Sequence, residues 1–160
     1  MNKQLIALSL LGVLASNAAF AASDRSELTI KGTLTRPPCT LTSNKVLTAD
    51  FGSLRYDQVD SAPQIDVPIT LTCPPNSGLN ISVTAATALT DTVGSAGRTN
   101  LGYSLFWKND STAINVKGTK KNVSNLNGAV DLSMKAKLIS RGTLSEGDFS
   151  ASAVINIDYL

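Results

Sequence analysis

The sequence closes with residues 147–160, a stretch in which apolar and polar side chains alternate. The positions on one side of this alternation are apolar or aromatic: Phe149, Ala151, Ala153, Ile155, Ile157 and Tyr159. Alternation with a period of two over this length is typical of a β-strand that buries one face. No further segment follows in the sequence, so we expect a segment from elsewhere to cover the free edge of this strand. The pattern therefore predicts a sheet that needs one more strand.

Residues 1–21 have the composition of a secretory signal peptide. Lys3 gives a positive start, residues 5–14 are mainly apolar, and residues 19–21 offer a small-x-small cleavage site. The apolar run is shorter than the roughly 18 residues that a membrane-spanning helix needs. We therefore expect cleavage after Ala21 and export of the rest of the chain.

The exported part, residues 22–160, is expected to fold as one domain and is almost neutral. Without Lys3 the 14 Lys and Arg residues become 13, against 12 Asp and Glu residues, which gives a net charge of +1. A protein with so little net charge has no field that steers polyanions, so no nucleic-acid partner is expected. The cluster of Lys117, Lys120 and Lys121 is interpreted as a solvated loop.

Cys39 and Cys73 are the two cysteines of a chain that contains no histidine. In an exported protein the expected state of such a pair is a disulfide. A metal site or a catalytic thiol is the alternative, but there is no histidine to complete either of them. A disulfide here closes a loop of about 35 residues, which stabilises the fold by roughly 4 kcal/mol in the chain-entropy model.

A second alternating segment, residues 28–34, lies near the start of the exported chain. One face carries Leu28, Ile30 and Leu34, with a gap in the apolar row at Gly32. Pro37 and Pro38 follow; they remove two backbone donors, so a paired strand cannot run through them unbroken. We therefore expect residues 28–34 to form a strand that is held apart from the body of the domain.

Between these ends the sequence predicts short strands separated by turns. The predicted strands are residues 40–42, 46–51, 65–73, 79–83, 101–107, 114–116 and 129–139. Pro68 argues for an edge position or a local bulge in the third of them. The predicted loops and turns are residues 55–63, 74–78, 84–98 and 117–128. Roughly six or seven strands, no helical period after residue 21 and one disulfide predict an all-β fold, a β-sandwich of immunoglobulin type.

The two end segments suggest how the chain meets its partner. The last strand lacks a neighbour, and the prolines hinder residues 28–34 from folding back onto their own domain. The N-terminal strand is therefore best placed to pair with a different molecule. In such β-strand addition, ladder hydrogen bonds give affinity, and alternate side chains in pockets give the register.

With these features together, the sequence resembles the subunits of chaperone–usher pili (fimbriae), with a minor or adaptor pilin as the suggested kind. Gly147 is the fourteenth residue from the C-terminus and Tyr159 the penultimate one, which is the C-terminal signature of that family. Cys39 follows a short alternating extension, and Cys73 lies at the usual disulfide spacing. Gly32 lies where the family has a glycine that fits a shallow pocket in the neighbouring subunit. The resemblance covers essentially the whole chain.

The resemblance implies an incomplete immunoglobulin-like β-sandwich that lacks its final strand. A periplasmic chaperone lends a strand first, an outer-membrane usher follows, and the extension of the next subunit replaces the chaperone at the cell surface. The implied organisation is a signal peptide (1–21), a donor-strand extension (22–36) and a pilin domain (37–160). The implied donor face is Leu28, Ile30, Gly32 and Leu34. The implied acceptor groove is bordered by Gly147, Phe149, Ala151, Ala153, Ile155, Ile157 and Tyr159.

The resemblance thus implies a structural subunit that polymerises by donor-strand exchange and contributes to cell adhesion. Rod, adaptor and terminator roles stay open, as do the neighbouring subunits and any host receptor. The alternative is a self-contained secreted or periplasmic β-sandwich that binds a ligand, with residues 28–34 as its own strand.

Catalysis is not expected, because the candidate acidic pairs lie in polar turns that would not shift a pKa. These pairs are Asp57 with Asp60, and Glu146 with Asp148. No nucleophile motif such as Gly-x-Ser-x-Gly occurs. A sugar-binding platform of Tyr103, Phe106 and Trp107 is a less favoured interpretation than core or rim packing. We expect no cofactor, no metal and no small-molecule substrate.

Overall fold

The computed structural model describes residues 24–160. Residues 24–34 belong to one unit, and Thr35–Leu160 form a second. The predicted signal peptide, residues 1–21, lies outside the described residues. Residues 24–39 contain neither helix nor strand, so residues 28–34 are not a strand in this structure. None of the helices in the described part of the chain is long and apolar enough to span a membrane.

The second unit is built almost entirely from β-strands. In the described residues the strands are β1 (Thr40–Leu41), β2 (Ile65–Val67), β3 (Thr70–Ala85), β4 (Gly94–Arg98), β5 (Leu101–Trp107), β6 (Lys121–Asp131), β7 (Met134–Ser140) and β8 (Ala153–Tyr159). One 3-10 helix, Tyr56–Ser61, precedes β2. The strands form two four-stranded sheets.

The first sheet is organised around β3, which is long enough to pair with three other strands. β6 runs antiparallel along one edge of β3, from Thr70↔Asp131 to Ile81↔Lys121. β1 pairs with the start of β3 through Leu41↔Leu71, and β8 pairs with its second half from Leu79↔Tyr159 to Ala85↔Ala153. At these positions β6 already occupies the other edge, so β1 and β8 follow one another along the same edge of β3.

The second sheet has the order β2-β7-β5-β4, with all neighbours antiparallel. Its central strands β5 and β7 pair from Leu101↔Ser140 to Trp107↔Met134. Alternate side chains of both strands point to one face and are buried there. These side chains are Leu101, Tyr103, Leu105, Trp107, Met134, Ala136 and Leu138.

The core lies between this face and the inner face of the first sheet. Leu79, Ile81 and Val83 of β3 are fully buried and belong to the same apolar cluster as the second sheet's inner residues. Residues 112–118 close one side of the sandwich. The Ile114 amide donates to the Leu105 carbonyl (2.8 Å), and the Ala85 amide donates to the Val116 carbonyl (2.8 Å), so this segment bonds to both sheets.

Several boundaries differ from the sequence expectation. The predicted strand 65–73 is interrupted at Pro68, because β2 joins the second sheet and β3 joins the first. The predicted turn 74–78 lies inside β3, which passes it with irregular register and a positive φ of 59° at Asn76. The predicted loop 84–98 contains β4, and the predicted loop 117–128 contains most of β6.

Three further predictions also fail. The predicted strand 129–139 is split, because its first residues end β6 and the rest form β7. Residues 46–51 alternate in polarity but are not a strand, since no strand of the described chain pairs with them. The loop predicted over residues 55–63 contains the 3-10 helix.

Candidate functional site

The strand that borders the candidate site is β8, an edge strand of the first sheet that is bonded to β3 alone. Residues 153–159 pair with β3, and within residues 24–160 no strand pairs with the opposite edge. The amides and carbonyls that point away from β3 therefore have no ladder partner. Such an edge is a template for another strand.

An apolar cleft of about 640 Å³ lies along this free edge. Residues 149–157 form one wall, and residues 41–51 form the other. The floor comes from the inner face of the second sheet and includes Tyr103, Leu105 and Leu138. Residues 112–118 close one side of the sandwich, and the opposite side is open along β8.

The predicted acceptor residues fall into three groups by their burial and their position relative to this cleft. Phe149, Ile155 and Ile157 are half-buried and pack against the core. Ala151 and Ala153 line the cleft but are exposed, and all five of these residues border it. Tyr159 is 40% exposed and lies at the end of β8, outside the residues that line the cleft. β8 itself begins at Ala153, so residues 149–152 are an irregular segment and not part of the strand.

The opposite wall was not predicted as part of the groove. Leu41, Leu47, Ala49 and Phe51 are half-buried at the cleft, and all line it. The signal was the alternation of residues 46–51, which indicates a face that buries apolar side chains but does not say what covers it. The hydroxyl of Ser43 on the same wall is buried and has no hydrogen-bond partner within residues 24–160.

The predicted disulfide between Cys39 and Cys73 is confirmed. Both residues are buried, at 4% and 3% exposure, and they lie directly beyond the pair Thr40↔Thr72 of β1 and β3. The bond therefore attaches the start of the 41–51 wall to the central strand of the first sheet. The disulfide therefore holds the 41–51 wall beside the cleft, although this wall has little strand pairing.

Gly147 lies at the end of the cleft where the chain approaches Phe149. Its φ of 132° belongs to the region that favours glycine, and a Cβ at this position would come within 2.5 Å of the Arg98 guanidinium. A second cavity of about 460 Å³ adjoins this point, and Phe149 lines both spaces. Gly147 therefore belongs to the approach to the groove and lines the smaller cavity.

The predicted donor residues belong to the other unit. Leu28, Ile30 and Leu34 are 84%, 87% and 102% exposed. A Cβ placed on Gly32 would have no neighbour within 4 Å. Large aliphatic side chains with this exposure, spaced at period two, are suited to burial against a partner.

Two of the four acidic residues considered for catalysis, Asp57 and Asp60, have structural partners for their carboxyl groups. Arg55 donates to Asp57 and lowers the pKa of its carboxyl group, while Asp60 accepts the Ser140 amide (2.9 Å). Tyr103 and Trp107 are buried in the core, where burial raises the pKa of the Tyr103 phenol. Among residues 24–160, no three or more acidic, cysteine or histidine side chains are grouped as metal ligands would be.

Comparison with solved structures shows the same architecture in known pilus subunits. The P pilus rod subunit PapA has a TM-score of 0.64 and 18% identity, covering 78% of this chain and 100% of PapA. A subunit from a chaperone–usher pilus structure concerned with rod uncoiling has a TM-score of 0.66 and 18% identity, covering 89% of this chain and 100% of that one. The P pilus adaptor subunit PapF has a TM-score of 0.59 and 23% identity, covering 79% and 98%. These likenesses confirm the incomplete immunoglobulin-like β-sandwich.

No sequence among the curated proteins matches the chain significantly. The sequence model of the fimbrial protein family, however, matches residues 28–160. This match includes both walls of the cleft, the disulfide and the alternating segment at residues 28–34. The chain belongs to the fimbrial protein family and is a structural subunit of a pilus.

Proposed function

We propose that the cleft beside β8 accepts a β-strand from a second molecule, and that residues 28–34 are the strand that this chain supplies to the next subunit. The chain then polymerises by donor-strand exchange. The observation that carries this proposal is the unpaired edge of β8 along an apolar cleft. A strand that enters there satisfies the edge and fills the cleft with its alternate side chains.

The shape and chemistry of the cleft favour a strand over a small molecule. Its walls are residues 41–51 and 149–157, and apolar side chains stand at alternate positions over residues 47–51 and 149–157. Small-molecule sites usually combine an apolar lining with a few polar groups that converge on the ligand. Polar side chains such as Ser43 and Thr48 also line this cleft, but the free edge of β8 adds a row of backbone groups, which another backbone matches in both spacing and direction.

Residues 28–34 have the features that such a cleft requires. Leu28, Ile30 and Leu34 stand at alternate positions of the sequence and are at least 84% exposed. Gly32 leaves a gap in that row, which suits a position where the cleft is too shallow for a side chain. The donor face is therefore Leu28, Ile30, Gly32 and Leu34, within an extension that spans residues 22–36.

The free edge of β8 also supports a role for a chaperone, an usher and a neighbouring subunit. An apolar edge left open during export would aggregate, so a periplasmic chaperone lends the first strand. An outer-membrane usher then receives the subunit, and the extension of a neighbouring subunit replaces the chaperone strand. The exported chain becomes part of a cell-surface fimbrium and contributes to adhesion.

Size distribution tests this proposal. The exported chain, freed of other strands by denaturation and returned to buffer at high concentration, should form linear polymers. Removal of residues 22–36 should abolish the polymers. An excess of a synthetic peptide of residues 24–36 should cap the chain as a monomer with one bound peptide.

The matched control is the same peptide with Leu28, Ile30 and Leu34 replaced by serine, which keeps the length and the charge. This control should neither bind nor cap. A stable monomer that forms without peptide and ignores it would refute the proposal and favour a self-contained ligand-binding sandwich.

A further inference from the structure

The segment between β7 and β8 has few backbone bonds of its own, yet it carries Phe149 to the cleft. Arg98, the last residue of β4, holds this segment through its guanidinium group. Its Nε donates to the Ser145 carbonyl (3.1 Å), and its Nη2 donates to the Ser145 hydroxyl (3.1 Å). Nη2 also donates to the Glu146 carbonyl, and Nη1 to the Asp148 carbonyl (3.5 Å). One side chain thus binds the turn of residues 145–148 at four acceptors.

Gly147 and Arg98 fit each other closely. A Cβ on Gly147 would lie 2.5 Å from Nη1 and 2.8 Å from Cζ of Arg98, so the backbone of residue 147 rests directly on the guanidinium plane. The planar group offers several donors in a fixed arrangement, whereas a lysine offers one compact charge. The glycine at position 147 is thus explained by the arginine at position 98.

Neighbouring contacts extend the attachment in both directions. A Cβ on Gly97 would collide with the Ser150 carbonyl oxygen, so β4 also touches the chain just beyond Phe149. Asn100 donates from Nδ2 to the Thr143 carbonyl (3.0 Å). The end of β4 and the turn after it therefore hold the segment from residue 143 to residue 150, with Arg98 making most of the bonds.

This attachment has a consequence for an empty cleft. Phe149 lies between the 640 Å³ cleft and the adjoining 460 Å³ cavity. A half-buried aromatic ring next to open apolar space lowers the free energy of the protein when it moves into that space. Residues 149–151 form no ladder to resist such a movement, since β8 begins at Ala153 and the backbone bond before it is the one from the Ala86 amide to the Ser152 carbonyl (3.0 Å).

We propose that Arg98 is a positioning residue that keeps the Phe149 end of the cleft open for the incoming donor strand. The inference rests on the proposed strand-acceptor function and adds to it. Once a donor strand lies along β8, the donor itself occupies the space into which Phe149 would move. We call a subunit that holds a donor strand in its cleft the filled subunit. Arg98 therefore governs the rate at which a donor is captured more than the stability of the filled subunit.

The test measures capture directly. The exported chain is diluted from denaturant into an excess of a fluorescent peptide of residues 24–36, and the second-order capture rate is read from anisotropy at several peptide concentrations. We compare the wild type with two variants. Arg98→Gln removes both the charge and the planar set of guanidinium donors, whereas Arg98→Lys keeps the charge alone. Arg141→Gln is the control, since the Arg141 side chain makes no hydrogen bond within residues 24–160.

We expect Arg98→Gln to slow capture by roughly ten- to a hundredfold, the factor that corresponds to losing hydrogen bonds to a charged group. Arg98→Lys should fall between this variant and the wild type, and Arg141→Gln should stay within about twofold of wild type. The melting temperature of each purified filled complex gives the second readout. It should change by only a few degrees at most in Arg98→Gln.

Equal capture rates for the wild type and Arg98→Gln would overturn the inference. So would a melting temperature of the filled complex that falls as steeply as the capture rate, because that result describes a general structural role. If the wild type captures no peptide at all, the proposed strand-acceptor function fails, and this inference fails with it.

Discussion

Supplying the missing strand within one chain should convert an aggregating domain into a stable monomer. The change is a second copy of residues 24–35, attached after Leu160 through a short flexible linker. The added strand carries three aliphatic side chains that are 84%, 87% and 102% exposed in the N-terminal segment. Burying each contributes about 1.5–3 kcal/mol, which gives about 5–9 kcal/mol of apolar stabilisation.

This apolar term is as large as the whole net stability of many domains, which is about 5–15 kcal/mol. Ordering the donor opposes it, and ladder bonds to the free edge of β8 support it. If only about a third of the apolar term survives as net gain, the melting temperature still rises by about 10 °C, at roughly 3–5 °C for each kcal/mol in a domain of this size.

The assay is thermal unfolding followed by circular dichroism, with size-exclusion chromatography of the same samples. Residues 37–160 without an added strand should aggregate or unfold at low temperature. The matched control carries the same extension with serine at the positions copied from Leu28, Ile30 and Leu34. Equal melting temperatures for the extended chain and this control would show that the fold is complete without a donor, and the strand-acceptor reasoning would be refuted.

Three further outcomes are expected. Cys39→Ser removes the bond to Cys73, so the urea midpoint of the extended chain should fall by the equivalent of roughly 4 kcal/mol, and an unchanged midpoint would contradict this. Gly32→Leu should leave the fold intact but prevent polymerisation, because overpacking a fitted site costs about 1–3 kcal/mol; normal polymers seen by electron microscopy would exclude the shallow-pocket assignment. The hydroxyl and amide of Ser133 lower the pKa of Asp131, so this carboxylate stabilises the fold above its ordinary pKa of about 4, and that contribution is lost as the pH falls further. Asp131→Asn should therefore lose less stability than the wild type between pH 6 and pH 3 in urea titrations, and identical pH profiles would argue against this role.

Some features of this fold follow from local sequence alone. The alternation around Ile155 and Ile157 identifies β8 and its inward face, because period-two polarity reports which side of a strand is buried. The strand at residues 101–107 is visible for the same reason. With two cysteines in the chain, one intramolecular pairing is available, and the structure contains it.

The sheet to which each strand belongs could not be read from the sequence. Residues 65–73 alternate without interruption, yet Pro68 separates a strand of the second sheet from a strand of the first. Alternation describes the exposure of a segment, whereas pairing depends on which distant edge is free. Pro74 and Pro75 illustrate the same limit, since β6 provides a bulged partner that keeps β3 continuous through them.

β6 was hidden by its composition, because residues 121–128 are mostly polar and lie on an exposed part of the sheet. Residues 46–51 show the opposite case: their alternation is real, but no strand of the described chain lies beside them, so they form a wall and not a strand.

The residues of the groove, too, could be predicted from the sequence only in part. The sequence by itself determined the apolar rows at residues 28–34 and 149–159, because a period-two pattern is read from neighbouring residues alone. Only the tertiary structure decided that residues 41–51 form the facing wall and that Arg98 holds the turn at Gly147. The contacts of Arg98 join residues about 50 positions apart, as the bond to the Asp148 carbonyl does with its separation of 50. Neither partner carries a local signal of the other, because a guanidinium binds backbone carbonyls, which every residue possesses.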